Sequence, residues 1–138
     1  MKKKVLISTG GSGGHVIPAI TIYNHLKNTH ETIISTDLRG LAYLGKNYNT
    51  VVINTPKLNN FFLLPFSFIK ILFLTVRSFF LLKKKNISIL ISTGGYMSLP
   101  LCIAAKILGI KIFLIEPNMV LGRSNKFFLN FSRKLICY

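Results

Sequence analysis

The hexapeptide Leu-Ile-Ser-Thr-Gly-Gly occurs twice in this chain, at residues 6–11 and again at 90–95. Each copy ends a short apolar run, and each is followed within a few residues by a proline of the kind that opens a helix, Pro18 or Pro100. Both copies therefore read as a buried strand, a glycine turn and a helix. A chain that builds this unit twice is committed to alternating strands and helices, which pack as a parallel sheet with right-handed crossovers. The same unit aims backbone N–H groups and a helix dipole at one place, which is how proteins hold phosphate.

The rest of the chain fits the alternation. Apolar runs at 4–8, 32–36, 51–53, 87–92, 111–115 and 134–137 are predicted strands, short and mostly not alternating, as strands buried on both faces should be. Helices are predicted over 18–28, 41–46, 61–84, 98–108 and 121–131, with Ser98 as an N-cap and Gly109 as the residue that ends the fourth. The expected fold class is α/β, a Rossmann-like doubly wound parallel sheet in one domain spanning 1–138. In the strand order 3-2-1-4-5-6 the first and fourth strands are neighbours at the switch point where ligands bind. The two copies of the hexapeptide lie on those strands, so their glycine turns should form two walls of one anion site.

Charge narrows the partners without choosing one. The chain holds 18 Lys and Arg against 3 Asp and Glu, a net charge of +15. Such a field favours nucleic acid, acidic lipid headgroups or phosphorylated substrates. A compositional bias toward Lys, Asn and Ile accounts for much of the excess equally well, and no nucleic-acid recognition motif accompanies it. Nucleic acid is therefore not an expected partner. Cys102 and Cys137 each sit in an apolar run without a ligand-like neighbour and read as two buried, reduced thiols. Lys2, Lys3 and Lys4 precede only three apolar residues, too few for a signal peptide, so a cytoplasmic chain is expected. No metal-binding motif is present, and neither metal nor cofactor is expected.

The first loop, Gly10-Gly11-Ser12-Gly13-Gly14-His15, is neither the dinucleotide fingerprint nor a Walker A loop. Four glycines in five positions still suggest close approach to a ligand. His15 is a candidate general base, because a histidine imidazole exchanges protons near neutral pH; a capping or purely hydrogen-bonding role is the alternative. The second loop, Gly94-Gly95-Tyr96-Met97-Ser98, adds hydroxyls and an aromatic face that either packs on a sugar or closes the turn. Glu116 and Asn118 follow the fifth predicted strand on the same edge, with sheet-edge capping as the other reading of Glu116.

Together these residues resemble the MurG family of glycosyltransferases. Ser12-Gly13-Gly14-His15-Val16-x-Pro18-Ala19 is similar to its first glycine loop, Thr93-Gly94-Gly95-Tyr96-x-Ser98-x-Pro100 to its second, and Glu116-x-Asn118 followed by Gly122-x-x-Asn125-Lys126 to its third signature. The resemblance implies the N-terminal half of a two-domain GT-B fold. It implies an inverting enzyme that moves N-acetylglucosamine from UDP-N-acetylglucosamine to lipid I, the undecaprenyl-diphosphate-linked acceptor, making lipid II for peptidoglycan. In that scheme His15 is the base, while Ser12, Gly13, Gly14 and Asn118 bind substrate. Gly94, Gly95, Tyr96, Ser98 and Glu116 form the acceptor-diphosphate loop, and no cofactor is needed. Two departures stand out. Ile115-Glu116-Pro117-Asn118 replaces the family's His-Glu-Gln-Asn, and 138 residues end in or after the sixth strand, before any second domain. The chain alone is accordingly expected to be inactive. The alternatives are a non-catalytic acceptor half that pairs with a separate donor-domain chain, or a basic nucleic-acid-binding module.

The run from residue 61 to 82 carries only Lys70 and Arg77 as charges and is long enough to span a bilayer. Lys70 and Arg77 share one helical face with Ser67 and Ser78 nearby, Pro65 interrupts the start, and a core strand follows closely. The expected behaviour is an interfacial helix in which Phe61, Phe62, Phe66 and Phe73 enter the leaflet while Lys70 and Arg77 meet an anionic surface. A buried crossover helix and a true membrane span are the alternatives. The resemblance points to a peripheral position at the cytoplasmic face of the inner membrane.

Overall fold

A computed structural model describes residues 2–45, 47–56 and 64–137, without the side chain of Leu64. Six parallel strands, β1 (Lys4–Ser8), β2 (Glu31–Thr36), β3 (Thr50–Val52), β4 (Ile89–Ser92), β5 (Lys111–Glu116) and β6 (Lys134–Cys137), form one sheet in the order β3-β2-β1-β4-β5-β6. The helices are α1 (Gly13–Leu26), α2 (Leu38–Leu41), α3 (Leu64–Lys84), α4 (Leu99–Ile107) and α5 (Arg123–Phe128), with single 3₁₀ turns at Tyr96–Ser98 and Leu129–Phe131. The expected strand order is the observed one.

The repeat sits side by side in the sheet. Leu6 pairs with Leu90, Ile7 with Ile91 and Ser8 with Ser92, so the two hexapeptides run in matched register along the β1–β4 seam. Thr93 Oγ1 donates to Thr9 Oγ1 at 2.9 Å and ties the copies together where the strands end. Alternation along the strands splits the core into two layers. Leu6, Ile33, Leu90, Ile112 and Leu114 pack with Leu74, Leu101 and Phe128 on the side of α3, α4 and α5. Val5, Ile7 and Ile34 pack with Ala19 of α1 on the other side. Leu90 is fully buried, so Leu90→Ala leaves a cavity that costs about 2–5 kcal/mol.

Several helix boundaries differ from those predicted. α1 begins five residues early, because the Ser12 carbonyl accepts from the N–H groups of His15 and Val16 and starts the helix ahead of Pro18. Pro18 thus lies inside α1, with no N–H to offer the Gly14 carbonyl. Pro100 does stand at a helix start, and Gly109 ends α4 with φ +66°. α2 comes earlier than expected because Asp37 caps it, Oδ1 accepting from the Gly40 N–H at 2.8 Å. Ser98 precedes α4 but makes no side-chain cap. Of the two thiols, Cys102 is buried, its pKa pushed up to about 12 by burial, whereas Cys137 is exposed on edge strand β6. β6 pairs with β5 on one side only and is exposed along most of its length.

α3 corrects one expectation and sharpens another. Ser67 and Ser78 do not share a stripe with Lys70 and Arg77: both serines are buried, on the face that carries Ile71, Leu74, Thr75 and Leu82 into the core. Helical geometry explains this, since positions 67, 71, 74, 75, 78 and 82 follow the spacing of one face. Phe66, Ile69, Phe73, Val76 and Phe80 lie on the opposite face, exposed. α3 is long and apolar enough to cross a membrane, yet one side of it is committed to this domain. Phe61 and Phe62 fall outside the described residues. On the α1 side of the sheet, Ile89, Ile91, Phe113, Ile115 and Ile136 line an open apolar groove of about 470 Å³ beside Leu26.

Candidate active site

The glycine turns after β1 and β4 face each other across the seam, and His15 lies between them. It projects from the first turn of α1, inside the helix rather than ahead of it. Its Nδ1 stands 2.7 Å from the Thr93 carbonyl oxygen. A carbonyl can only accept, so Nδ1 is the donor, and in the neutral imidazole the lone pair falls on Nε2. The ring lies over Gly94 and Gly95: a Cβ at Gly94 would stand 3.4 Å from the His15 Cε1, and one at Gly95 would stand 3.9 Å from Nε2. Both glycines have left-handed backbone, φ +91° and +80°. Any side chain there would strain the loop, and one at Gly94 would also crowd the imidazole.

Two cavities meet at this histidine. One, of about 250 Å³, is lined by Gly10, Gly11, Ser12, Arg39 and Met97. The other, of about 460 Å³, is lined by Leu99, Glu116, Asn118, Gly122, Arg123 and Phe127 among others. His15, Gly95 and Tyr96 belong to both. The N–H groups of Ser12, Gly13 and Gly14 make no hydrogen bond among the described residues, and they crown the N-terminus of α1. Free amides at a helix start form an environment suited to a phosphate oxygen.

The carboxylate that lines the larger cavity is fully occupied. Glu116 is buried, and its Oε1 accepts from the backbone N–H and side-chain amide of Asn118 at 3.2 and 2.9 Å. Its Oε2 accepts from the Gly122 N–H at 2.8 Å and the Asn125 amide at 3.0 Å. Burial pushes this carboxyl up, but those donors outweigh it and hold it below the usual carboxylate range. Glu116 has no lone pair left for a substrate proton, so it shapes the 116–122 turn. Ser98 is also withdrawn from the cavities: fully buried, it donates to the Gly95 carbonyl at 2.8 Å and meets Ser124 Oγ at 3.0 Å.

The structure thus gathers Ser12, His15, Gly95, Tyr96, Glu116 and Asn118 around two joined cavities, with Gly94 beneath the imidazole. Gly13 and Gly14 stand in the first turn of α1, while Phe66, Lys70, Phe73 and Arg77 sit apart on α3. Sequence reasoning missed Asp37 and Arg39. Asp37 Oδ1 accepts from the Gly11 N–H at 2.9 Å, and its Oδ2 accepts from Arg39 Nε at 3.0 Å. Burial raises this carboxyl, but the Gly11 and Gly40 amides and Arg39 outweigh it and hold it low. The Asp-x-x-Gly run at 37–40 was the available signal, an N-cap pattern. Among the described residues no group of three or more His, Cys, Asp or Glu side chains could hold a metal ion.

Residues 5–136 match the glycosyltransferase family 28 N-terminal domain. The chain belongs to this family. Over its whole length it is 54% identical to a UDP-N-acetylglucosamine–N-acetylmuramyl-(pentapeptide) pyrophosphoryl-undecaprenol N-acetylglucosamine transferase of Pelagibacter ubique, of which it covers 39%. A Wolbachia protein of the same name is 37% identical over 91% of this chain and 36% of its own length. The chain spans well under half of the length of these relatives. In three dimensions, 99% of the chain superposes on 41% of the crystal structure of MurG from Acinetobacter baumannii, with TM-score 0.83 and 22% identity, a likeness of fold. The GT-B half expected from the sequence is the architecture found.

Proposed function

We propose that this chain is the acceptor-side domain of an inverting transferase that moves N-acetylglucosamine from UDP-N-acetylglucosamine to lipid I, forming lipid II. The observation that carries the reading is the placement of His15 between two glycine turns, its Nδ1 against the Thr93 carbonyl and its Nε2 without a hydrogen-bond partner among the described residues. In this reading the acceptor's sugar 4-hydroxyl attacks the anomeric carbon of the donor from the face opposite UDP, and Nε2 takes the hydroxyl proton. The C1–O bond to UDP breaks as the new glycosidic bond forms, which inverts C1. Thr93, accepting from Nδ1, then steadies the imidazolium, and the free amides of the first glycine turn face the acceptor's diphosphate. The relatives' names support the substrates. No step calls for a metal or cofactor.

The membrane belongs to the same proposal. The exposed Phe66, Ile69, Phe73, Val76 and Phe80 face of α3, flanked by Lys70 and Arg77, suits a helix lying in the leaflet surface at the cytoplasmic face of the inner membrane. The acceptor's lipid chain would be anchored there too. A donor-binding domain, joined or separate, completes the enzyme. The apolar groove over β4–β6 supports a companion, since parallel sheets are stable when both faces are covered. The test joins this chain to the donor domain of the Pelagibacter relative and follows sugar transfer to a lipid I analogue. The expected product is β-linked, from the α-linked donor. A retained α linkage, or no transfer by a folded fusion, contradicts the proposal.

A further inference from the structure

The two glycine turns are tied together twice. At the base, Thr93 Oγ1 donates to Thr9 Oγ1. At the mouth the tie runs through a third element: Asp37 holds the Gly11 N–H with Oδ1 and Arg39 Nε with Oδ2, and Arg39 Nη2 donates to the Tyr96 hydroxyl. The guanidinium carbon lies 5.9 Å from the centre of the Tyr96 ring. Asp37 is itself fixed, buried and capping α2 through the Gly40 N–H. The mouth tie therefore starts from a rigid point and ends on the loop that carries the Thr93–Gly95 floor beneath His15.

We infer that Arg39 is a positioning residue: with Asp37 on one side and Tyr96 on the other, it clasps the two glycine turns and sets the separation between them at His15. The inference rests on the reading of these turns as a diphosphate site. The clasp needs arginine. A planar guanidinium can give Nε to Asp37 and Nη2 to Tyr96 at once, and an ammonium on a flexible stem cannot reproduce that fork. Because His15 bonds the Thr93 carbonyl and lies over Gly94 and Gly95, displacement of the second turn carries the imidazole with it.

The experiment uses the 138-residue chain, inorganic diphosphate as probe, and the variants Arg39→Met, Arg39→Lys, Tyr96→Phe and the double Arg39→Met/Tyr96→Phe. Amide NMR reports Kd from the shifts of Ser12 and Gly13, and hydrogen exchange at Gly94 and Ser98, whose N–H groups are bonded to Ser92 Oγ and the Gly95 carbonyl. Melting temperatures should stay within a few degrees, since Arg39 and Tyr96 lie at the surface of the site. Arg39→Met and Tyr96→Phe should each weaken diphosphate about fivefold and speed exchange in the second turn, and the double variant should be no weaker than either. Arg39→Lys should not rescue. Lysine rescue, or losses that multiply in the double variant, would mean that Arg39 acts as a free charge and would overturn the clasp. Unchanged exchange at Gly94 and Ser98 in Arg39→Met would also overturn it. If the wild-type chain binds no diphosphate, the site reading fails instead, while the exchange measurement still decides the clasp.

Discussion

His15 and Glu116 illustrate how a residue's partners decide its role. Both were candidates on the edge of one crevice, but among the described residues His15 leaves Nε2 without a partner, and Glu116 spends every lone pair it has. In a chain joined to a donor domain, His15→Ala should lower kcat by about 10²–10⁴ with little effect on folding, the usual loss when a general base is removed. A drop of less than tenfold would assign the base elsewhere. Glu116→Gln should act on stability, because its amide turns a donor toward the Gly122 N–H or the Asn125 amide. A cost of about 1–3 kcal/mol in urea unfolding is expected. Asp37 and Glu116 both titrate below the usual carboxylate range in the folded chain. The unfolded chain therefore takes up protons first as pH falls. Stability should be level above about pH 5 and decline as pH drops through the ordinary carboxylate range, about 4, toward the lower folded values. Glu116→Gln should flatten that decline, which acid unfolding followed by circular dichroism would reveal. The histidine was legible in the sequence because glycines and a helix start flanked it. The Asp37–Arg39–Tyr96 tie was not, because Arg39 and Tyr96 meet only once β2 and β4 flank β1.

At the scale of elements, periodicity carried most of the information. Six short apolar runs became six strands with boundaries shifted by at most two residues; burial on both faces leaves the central strands little latitude, while the edge strands β3 and β6 are only partly buried. Helix starts were harder, because they depend on which carbonyl first captures an N–H: Ser12 did so ahead of Pro18, and Asp37 ahead of residue 41. α3 was legible in length and greasiness but not in orientation. Its buried face includes Ser67, Thr75 and Ser78, while seven exposed large apolar side chains, Phe66, Phe68, Ile69, Leu72, Phe73, Val76 and Phe80, point outward. That outward face should bind vesicles containing anionic lipid and release them as salt rises, with Lys70 and Arg77 contributing about 1 kcal/mol each near the charged surface. Phe73→Ser should weaken binding at least tenfold, given about 1.5–3 kcal/mol for burying a phenylalanine, and leave the fold intact. Sedimentation with vesicles measures both effects. Retention through carbonate washing would contradict an interfacial helix, and so would absence of binding.

In the proposed reading the molecule is the acceptor half of a sugar transferase, with free amides and His15 at its sheet edge. The chain spans about two-fifths of the Pelagibacter relative it matches. Holding two substrates in attacking geometry contributes about 7–11 kcal/mol to such a reaction. A domain with only the acceptor's contacts should forfeit most of that, and should bind UDP-N-acetylglucosamine at millimolar strength or weaker, roughly −4 kcal/mol. The most direct test is turnover of a lipid I analogue by the purified chain, measured alone and again after a folded donor-domain chain is added. The account predicts no transfer alone and β-linked product once the donor domain is present. Sustained transfer by the 138 residues alone, or none when a donor domain is bound to them, would contradict it.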